Sequence, residues 1–218
     1  MPAVRRRLIV LIAVASLIVL VTIGVGVYGL IRGPGHPPTS RAPATAPGSS
    51  SSSSSAAGQG PAVLPRTDDQ IVYAEAVAAA LFDWSTTSGY SSSDYTAPVL
   101  ADADPSGEEL PGLVEDLAGY EPTSEQWTQL ATMQVAQQLR ITSAVVPSLW
   151  GEALAQAHGQ LRAGTTAITI TGVRRRTGVW YGPAATSNPV SFTIFEACSP
   201  AFSRCHTLRL SQLNDPLQ

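Results

Sequence analysis

The chain has 218 residues and a formal net charge of -3, and every one of its basic residues is an arginine. The absence of lysine excludes chemistry that needs a lysine amine, such as a P-loop or a Schiff base. Residues 67–125 carry thirteen acidic residues and no basic one, whereas residues 140–218 carry seven arginines and three acidic residues. This segregation argues against a nucleic-acid partner. Two ordinary solvated faces are the main interpretation of the segregation, and head-to-tail contact with copies of the chain or with a charged partner is the alternative.

The N-terminal region predicts a membrane anchor. A basic tail, residues 1–7, precedes an uncharged segment from Leu8 to Ile31. As a helix this segment would measure about 36 Å, enough to cross a hydrocarbon core of about 30 Å. The arginines that precede it place the N-terminus in the cytoplasm and the rest of the chain outside the cell membrane. Cleavage near the later sequence PATAP is the alternative.

Two features of this region carry no chemistry. Gly24, Gly26 and Gly29 match a dinucleotide-binding pattern, but the match is accidental because an apolar helix is expected there instead of a strand followed by a helix. Residues 32–66 are rich in Pro, Ser, Ala and Gly and include seven consecutive serines, Ser49–Ser55. Such a segment buries too little apolar surface to fold, so it predicts a flexible linker.

Residues 67–218 predict one extracytoplasmic domain of the α+β class, with helices first and an antiparallel sheet after them. The sequence TDDQ, Thr67–Gln70, has the pattern of a capping box and predicts a helix that begins after Thr67. Thr123 and Gln126 form a second such pattern. Alternation of apolar and polar residues begins at Leu139. The other expected elements are helices at 94–103, 111–119 and near 151–161, and strands at 165–176, 178–182, 190–198 and 205–211.

The only two cysteines, Cys198 and Cys205, lie at the mouth of an expected hairpin. Strand-like sequences precede Cys198 and follow Cys205, so the two side chains would face each other, and an extracytoplasmic domain is in an oxidising compartment. We therefore expect a disulfide bond. A zinc site with His206 and a redox-active pair are the alternatives, although the spacing fits neither well.

Other polar residues suggest weaker candidate sites. Asp102, Asp104, Ser106 and Gly107 have the spacing that begins a calcium loop, but Leu113 stands where the bidentate glutamate would be. His158 and His206 have no acid or nucleophile visible beside them. We therefore expect no catalytic residue, no metal and no cofactor.

The sequence also offers one basic patch and one aromatic set. Arg174, Arg175 and Arg176 could hold an anionic wall polymer or an acidic neighbour, with Arg174 and Arg176 on one face of a strand and Arg175 on the other. A possible pocket is lined by five of the domain's aromatic residues: Trp84, Tyr90, Tyr95, Trp127 and Trp150.

The layout of anchor, linker and domain resembles membrane-anchored proteins with a nuclear-transport-factor-two-like fold. The resemblance also rests on the helix AEAVAAALFDW, on Val146, Pro147 and Trp150 after the first long strand, and on ITGVRRRTGVW. Within this group the chain resembles TcpC-type scaffold subunits of conjugative type IV secretion machines and the mammalian-cell-entry-associated proteins of actinobacteria. The lysine-free, alanine-rich composition is typical of an actinobacterial genome.

The resemblance implies a cone of helices on a curved sheet and a non-enzymatic role in an envelope complex. Protein partners or self-association are then expected. The alternative is a ligand-binding or enzymatic cone; enzymes of this fold carry an Asp with Tyr or His inside the cone. The first residues to examine for such a set are Tyr90, Asp94 and Tyr95.

Overall fold

The computed structural model describes residues 60–218, so the expected basic tail, anchor and most of the linker lie outside the described residues. No helix within 60–218 has the length and apolar character needed to cross a bilayer. The elements in chain order are α1 (Gln70–Phe82), β1 (Trp84–Ser85), α2 (Ser92–Ala101), α3 (Leu110–Leu117), α4 (Ser124–Thr132), β2 (Ala136–Val145), α5 (Trp150–Gln156), β3 (Thr165–Val179), β4 (Pro183–Ala197) and β5 (His206–Leu210).

The helix starts show which capping predictions hold. Thr123 and Gln126 form the expected capping box at the start of α4, since the Thr123 hydroxyl accepts from the Gln126 N–H at 3.3 Å. The box predicted at Thr67 is wrong, because Asp69 caps α1 and accepts from the Val72 N–H at 3.0 Å. Asp is preferred over Thr as an N-cap, and its negative charge is favoured at the positive end of the helix.

The five strands form one sheet in the order β1-β2-β3-β4-β5, with every neighbouring pair antiparallel. The sheet curls strongly into a half-barrel with helices packed on it, which confirms the α+β class. The separate strand predicted at 178–182 is wrong, since β3 continues to Val179 and turns into β4. Tyr181 and Gly182 take positive φ angles of 52° and 145° in that turn, and glycine adopts such angles without steric cost.

One face of the sheet, called here the inner face, packs against α1. Ile168, Ile170, Phe192 and Ile194 lie on this face and are fully buried. The Phe192 ring stacks on Phe82 of α1 with ring centroids 5.2 Å apart. This half of the β3–β4 ladder therefore forms the core of the domain.

The opposite, outer face is covered by α5 and the C-terminal residues. Trp150 of α5 packs against Phe195, with ring centroids 6.1 Å apart. The Leu217 N–H donates to the Thr193 hydroxyl at 2.8 Å, and the Leu217 carbonyl accepts from the Thr169 hydroxyl at 2.9 Å. The half of the β3–β4 ladder that contains Ile168, Ile170, Phe192 and Ile194 is called here the proximal half. Both of its faces are thus covered. The other half, from Arg174 to Pro189, has most of its residues exposed or half-buried.

Candidate ligand-binding cleft

The arginines of β3 divide between the two faces of the sheet. Arg174 and Arg176 continue the inner-face row that begins with Ile168 and Ile170, because side chains alternate along a strand. Both are half-buried, whereas Arg175 is exposed on the outer face. Three consecutive arginines therefore provide two inward-facing cations and one outward-facing cation.

Arg174 and Arg176 form one wall of an open cleft of about 430 Å³ beyond the core. The cleft lies between α4 and the part of β3 that follows the buried residues Ile168 and Ile170. The other residues that line it are Gly119, Tyr120, Glu121, Pro122, Gln126, Gln129, Leu130, Met133 and Leu213.

Arg176 is held in place by neutral groups. Its Nε–H donates to the Gln137 side-chain oxygen at 2.7 Å, and the Gln137 amide donates in turn to the Phe82 carbonyl at 2.9 Å. Its guanidinium carbon lies 5.5 Å from the centre of the Trp84 ring, which is a cation–π arrangement. Burial lowers the pKa of Arg176, and the positive charge of Arg174 lowers it further.

Within residues 60–218, the Nε–H group of Arg174 lacks the hydrogen-bond partner that the Nε–H group of Arg176 has. Its Nε is buried and has no hydrogen-bond partner in the described part of the chain. A buried donor without a partner costs free energy, and a like charge nearby adds to the cost. The wall of the cleft therefore holds two positive charges that the surrounding residues do not neutralise.

The lining of the cleft contains one carboxylate, that of Glu121. Its Oε2 accepts a hydrogen bond from the Thr96 hydroxyl at 3.2 Å. Within residues 60–218 the ion pairs of arginine involve Arg162, Arg204 and Arg209, and none joins Glu121 to Arg174 or Arg176. No residue within 60–218 therefore forms an ion pair with Arg174 or Arg176.

A smaller groove of about 180 Å³ adjoins the cleft and is almost entirely apolar. The two share Leu130, Met133 and Arg176 in their walls. The other groove residues are Val135, Thr177, Gly178, Val179, Trp180, Ala184, Ala185 and Thr186. Positive charge and apolar surface therefore meet at Arg176.

Part of the charge segregation seen in the sequence is resolved by ion pairs inside the domain. Arg162 contacts Asp104 at 3.0 Å, and Arg209 contacts Asp116 through two hydrogen bonds of 2.7 and 3.0 Å. Arg204 donates one hydrogen bond to Asp102 Oδ1. Arginines from the basic half thus pair with acidic residues of the same molecule. The charge pattern does not by itself indicate contact between subunits.

The possible calcium loop uses its carboxylates for other contacts. Asp104 accepts from the Ser106 N–H at 2.9 Å and from Arg162. Asp102 accepts from the Tyr73 hydroxyl at 2.9 Å and from Arg204. These interactions join the loop to α1, β5 and the segments that flank it, so they support a structural role for both carboxylates.

Cys198 and Cys205 form the expected disulfide bond, with Cα atoms 4.0 Å apart. Their sulfur atoms lie close to the Glu196 carboxylate, an arrangement that could be mistaken for a metal site. Zinc requires thiolates, and sulfur atoms bonded to each other cannot supply them. The contact of 3.7 Å between Cys198 Sγ and Glu196 is also not a hydrogen bond, because a disulfide sulfur carries no hydrogen.

Sequence reasoning missed Glu196, which is fully buried in β4. Its Oε2 has no hydrogen-bond partner among the described residues. Burial, and then the negative charge of Asp69, raise the pKa of Glu196 to about 8. The signal in the sequence is a lone acid within the apolar strand SFTIFEAC.

The two candidate histidines have different environments. His206 is buried, its ring stands 5.1 Å from Phe202, and its Nδ1 lies 3.8 Å from Asp102 Oδ1. His158 is exposed after α5 and takes a positive φ angle of 48°. Neither residue lines the cleft or the groove.

Four of the five aromatic residues proposed for a pocket are gathered together. The Trp84 and Trp127 rings lie 5.2 Å apart, and Tyr95 lies 6.0 Å from Trp127 and 6.2 Å from Tyr90. Trp84 and Tyr95 are buried, and they pack with Trp127 and Leu130 of α4. The Trp84 ring also contacts Arg176. Trp150 is separate, on the outer face. None of the five lines the cleft or the groove.

The residues considered for an enzymatic cone have local partners. Asp94 completes a capping box with Ser91 at the start of α2, and this hydrogen bonding lowers the pKa of Asp94. The Tyr95 hydroxyl donates to the Ser88 hydroxyl at 2.7 Å. Tyr90 is about half exposed. These contacts give the residues capping and packing roles.

Comparisons with protein-family models, with curated proteins and with solved structures found no match for this chain.

Proposed function

We propose that the chain is a single-pass membrane protein whose extracytoplasmic domain acts as a scaffold in an envelope complex, such as a conjugation or secretion machine. The uncharged segment from Leu8 to Ile31 supports the anchor, and the disulfide bond is consistent with an oxidising compartment. The curled sheet with helices packed on it is the arrangement that a nuclear-transport-factor-two-like cone would have. In this proposal the domain has a binding role and no chemistry of its own.

The observation that carries the assembly role is the end of the β3–β4 hairpin. Trp180 is 62% exposed and Tyr181 is fully exposed, next to the half-exposed Val179. Large aromatic side chains dominate the energetics of protein interfaces and are costly to leave in water. The hairpin therefore presents a compact aromatic surface for a partner.

The neighbouring edge of β4 extends this surface. β5 pairs only with Ile194–Ala197, which leaves the outer edge of β4 from Pro183 to Asn188 without a strand partner among the described residues. Its side chains are small or polar, and Pro183 and Pro189 interrupt the row of N–H groups. Prolines limit unwanted pairing at an edge, so this edge suits a selective contact more than open-ended aggregation.

Site-specific crosslinking in the host membrane tests the proposal. A photoreactive amino acid is placed at Tyr181 in the full chain, and a matched variant carries it at the exposed His158. We expect the first variant to capture one envelope subunit reproducibly, such as a channel protein or a membrane-associated ATPase, and the second not to capture it. Crosslinks of equal yield from both positions, or none from Tyr181, would contradict the assembly role.

A further inference from the structure

We propose that Arg174 and Arg176 form an anion-binding site that takes the acid group of a small amphiphilic ligand, whose apolar part lies against Leu130 and Met133. This site goes beyond the scaffold role, because it assigns a ligand to the concave side of the sheet. The site adjoins the hairpin surface, because Val179 and Trp180 belong to the hairpin end and also line the groove, whereas Tyr181 lines neither the cleft nor the groove.

The first argument is the unmet charge of the arginine pair. Two guanidinium groups from the same inner-face row line the cleft, and one of them has a buried Nε–H without a partner. Arg176 contacts only a neutral amide and an aromatic ring among the interactions described for it. Guanidinium groups match the geometry of carboxylate and phosphate oxygens, and an anion between them would satisfy the free donor and relieve the repulsion.

The second argument is the contrast with the other arginines of the domain. Arg162, Arg204 and Arg209 each reach a carboxylate of the same molecule. Arg174 and Arg176 lie on β3 without such a partner in residues 60–218.

Arg66, Arg140 and Arg175 also form no ion pair within residues 60–218, but Arg140 and Arg175 are exposed to solvent, and none of these three residues lines the cleft. The cleft pair is therefore distinguished by its half-buried position in the wall together with its missing carboxylate partner in the described part of the chain.

The third argument is the apolar wall beside the pair. Leu130 and Met133 line both the cleft and the adjoining groove, and Val135, Val179 and Trp180 continue the apolar surface away from Arg176. Ligand sites are typically apolar with a few charged groups that fix orientation. A ligand with an acid head and an apolar body matches this division, whereas an inorganic ion would leave the apolar wall in water.

Carboxylate and phosphate heads share the chemistry that the pair recognises, so the probes must separate them. Binding to the full chain in a mild detergent is measured by titration calorimetry with phenylacetate and with phenyl phosphate. Acetate and inorganic phosphate supply the head alone, and 2-phenylethanol supplies the apolar body alone. The variants are Arg174→Gln and Arg176→Gln, with Arg175→Gln as the matched control on the outer face.

We expect at least one of the two amphiphilic acids to bind, and the tighter one to identify the head group. Each inner-face substitution should weaken that binding about tenfold or more, because each removes charge-assisted hydrogen bonds. Arg175→Gln should leave it within about twofold, and added salt should weaken binding to the wild type. The signal of the Arg174 Nε–H in a proton–nitrogen NMR spectrum should shift on binding in the wild type and in Arg175→Gln.

The proposal is overturned if neither acid binds the wild type. It is also overturned if Arg175→Gln weakens binding as much as Arg174→Gln, or if 2-phenylethanol binds as tightly as the acids. Acetate or inorganic phosphate binding as tightly as the amphiphilic acids would refute the role of the apolar wall. Because crosslinking at Tyr181 is measured separately, failure of this site and failure of the assembly role are distinguishable.

Discussion

The two halves of the β3–β4 ladder are built from the same pair of strands but serve different purposes. In the proximal half, Ile170 and Phe192 are fully buried under α1, and the disulfide joins the end of β4 to the start of β5. In the distal half, the inner face carries Arg174 and Arg176, and the turn ends in the exposed Tyr181. The covered half is where we expect most of the stability to reside, and the open half is where we propose that binding takes place. The predictions below test this division.

The largest effect on stability is expected at Phe192. Its ring stacks on Phe82 and stands 5.3 Å from Tyr120, so Phe192→Ala leaves a cavity at the centre of the core. We expect the free energy of unfolding to fall by about 3–5 kcal/mol. Ser187→Ala, in the exposed part of the same strand, should change it by less than about 0.5 kcal/mol. Denaturant unfolding of both variants checks the contrast, and similar losses would refute the division of the ladder.

Glu196 should give the covered half a distinct pH dependence. Its pKa is raised from 4.5 to about 8, so between these values the folded chain keeps a proton that the unfolded chain has lost. The contribution of this residue to stability is therefore lost as the pH rises through that window, with a slope of about 1.4 kcal/mol per pH unit. Glu196→Gln removes the slope.

The expected result is a variant that gains about 2–3 kcal/mol relative to the wild type between pH 5 and pH 7. Thermal or denaturant unfolding at the two pH values measures the gain. Glu152→Gln, at an exposed position in α5, is the control and should show no such change. An equal difference at both pH values would mean that Glu196 ionises normally in the folded chain.

The disulfide should stabilise the same end of the ladder. Cys198 and Cys205 are seven residues apart in sequence, and closing so short a loop contributes about 2.5 kcal/mol in the chain-entropy model. The double substitution to serine should lower the free energy of unfolding by that amount. The intact mass of the chain from an oxidising compartment should be two hydrogens below that of the reduced form, and two free thiols would contradict the bond.

The smallest effect on stability is expected in the open half. Arg174→Gln removes a like charge near Arg176 and the buried Nε–H that has no partner. We expect the free energy of unfolding to stay the same or to rise by less than about 1 kcal/mol. Arg175→Gln should leave it unchanged. A loss of more than about 1 kcal/mol in Arg174→Gln would show that this arginine stabilises the fold instead of serving a ligand.

Features set by local sequence could be predicted, and features set by distant contacts could not. The Cys198–Cys205 hairpin and the Thr123 capping box were predictable because neighbouring residues determine them. The start of α1 was missed because the spacing of Thr67 and Gln70 matches a capping box, although Asp69 is the better N-cap residue of the two candidates. The split of the aromatic set was also beyond the sequence, since Trp150 contacts Phe195 across the outer face.

The candidate cleft was predicted only in part. The alternation of a strand places Arg174 and Arg176 on one face, but it does not show what lies opposite them. Arg162, Arg204 and Arg209 look equivalent to them in the sequence, yet they pair with carboxylates that are 54 to 102 residues away along the chain. Only the fold shows which arginines are already neutralised.

Hydrogen–deuterium exchange of the full chain tests the central claim most directly, by comparing host membranes with the purified protein. If the open half is the binding surface, the amides of residues 178–188 should exchange more slowly in the host membrane than in the purified chain. The amides of residues 192–197 should exchange equally slowly in both, because α1, β5 and the disulfide already protect them. Unchanged exchange over 178–188 in the host membrane would contradict the account.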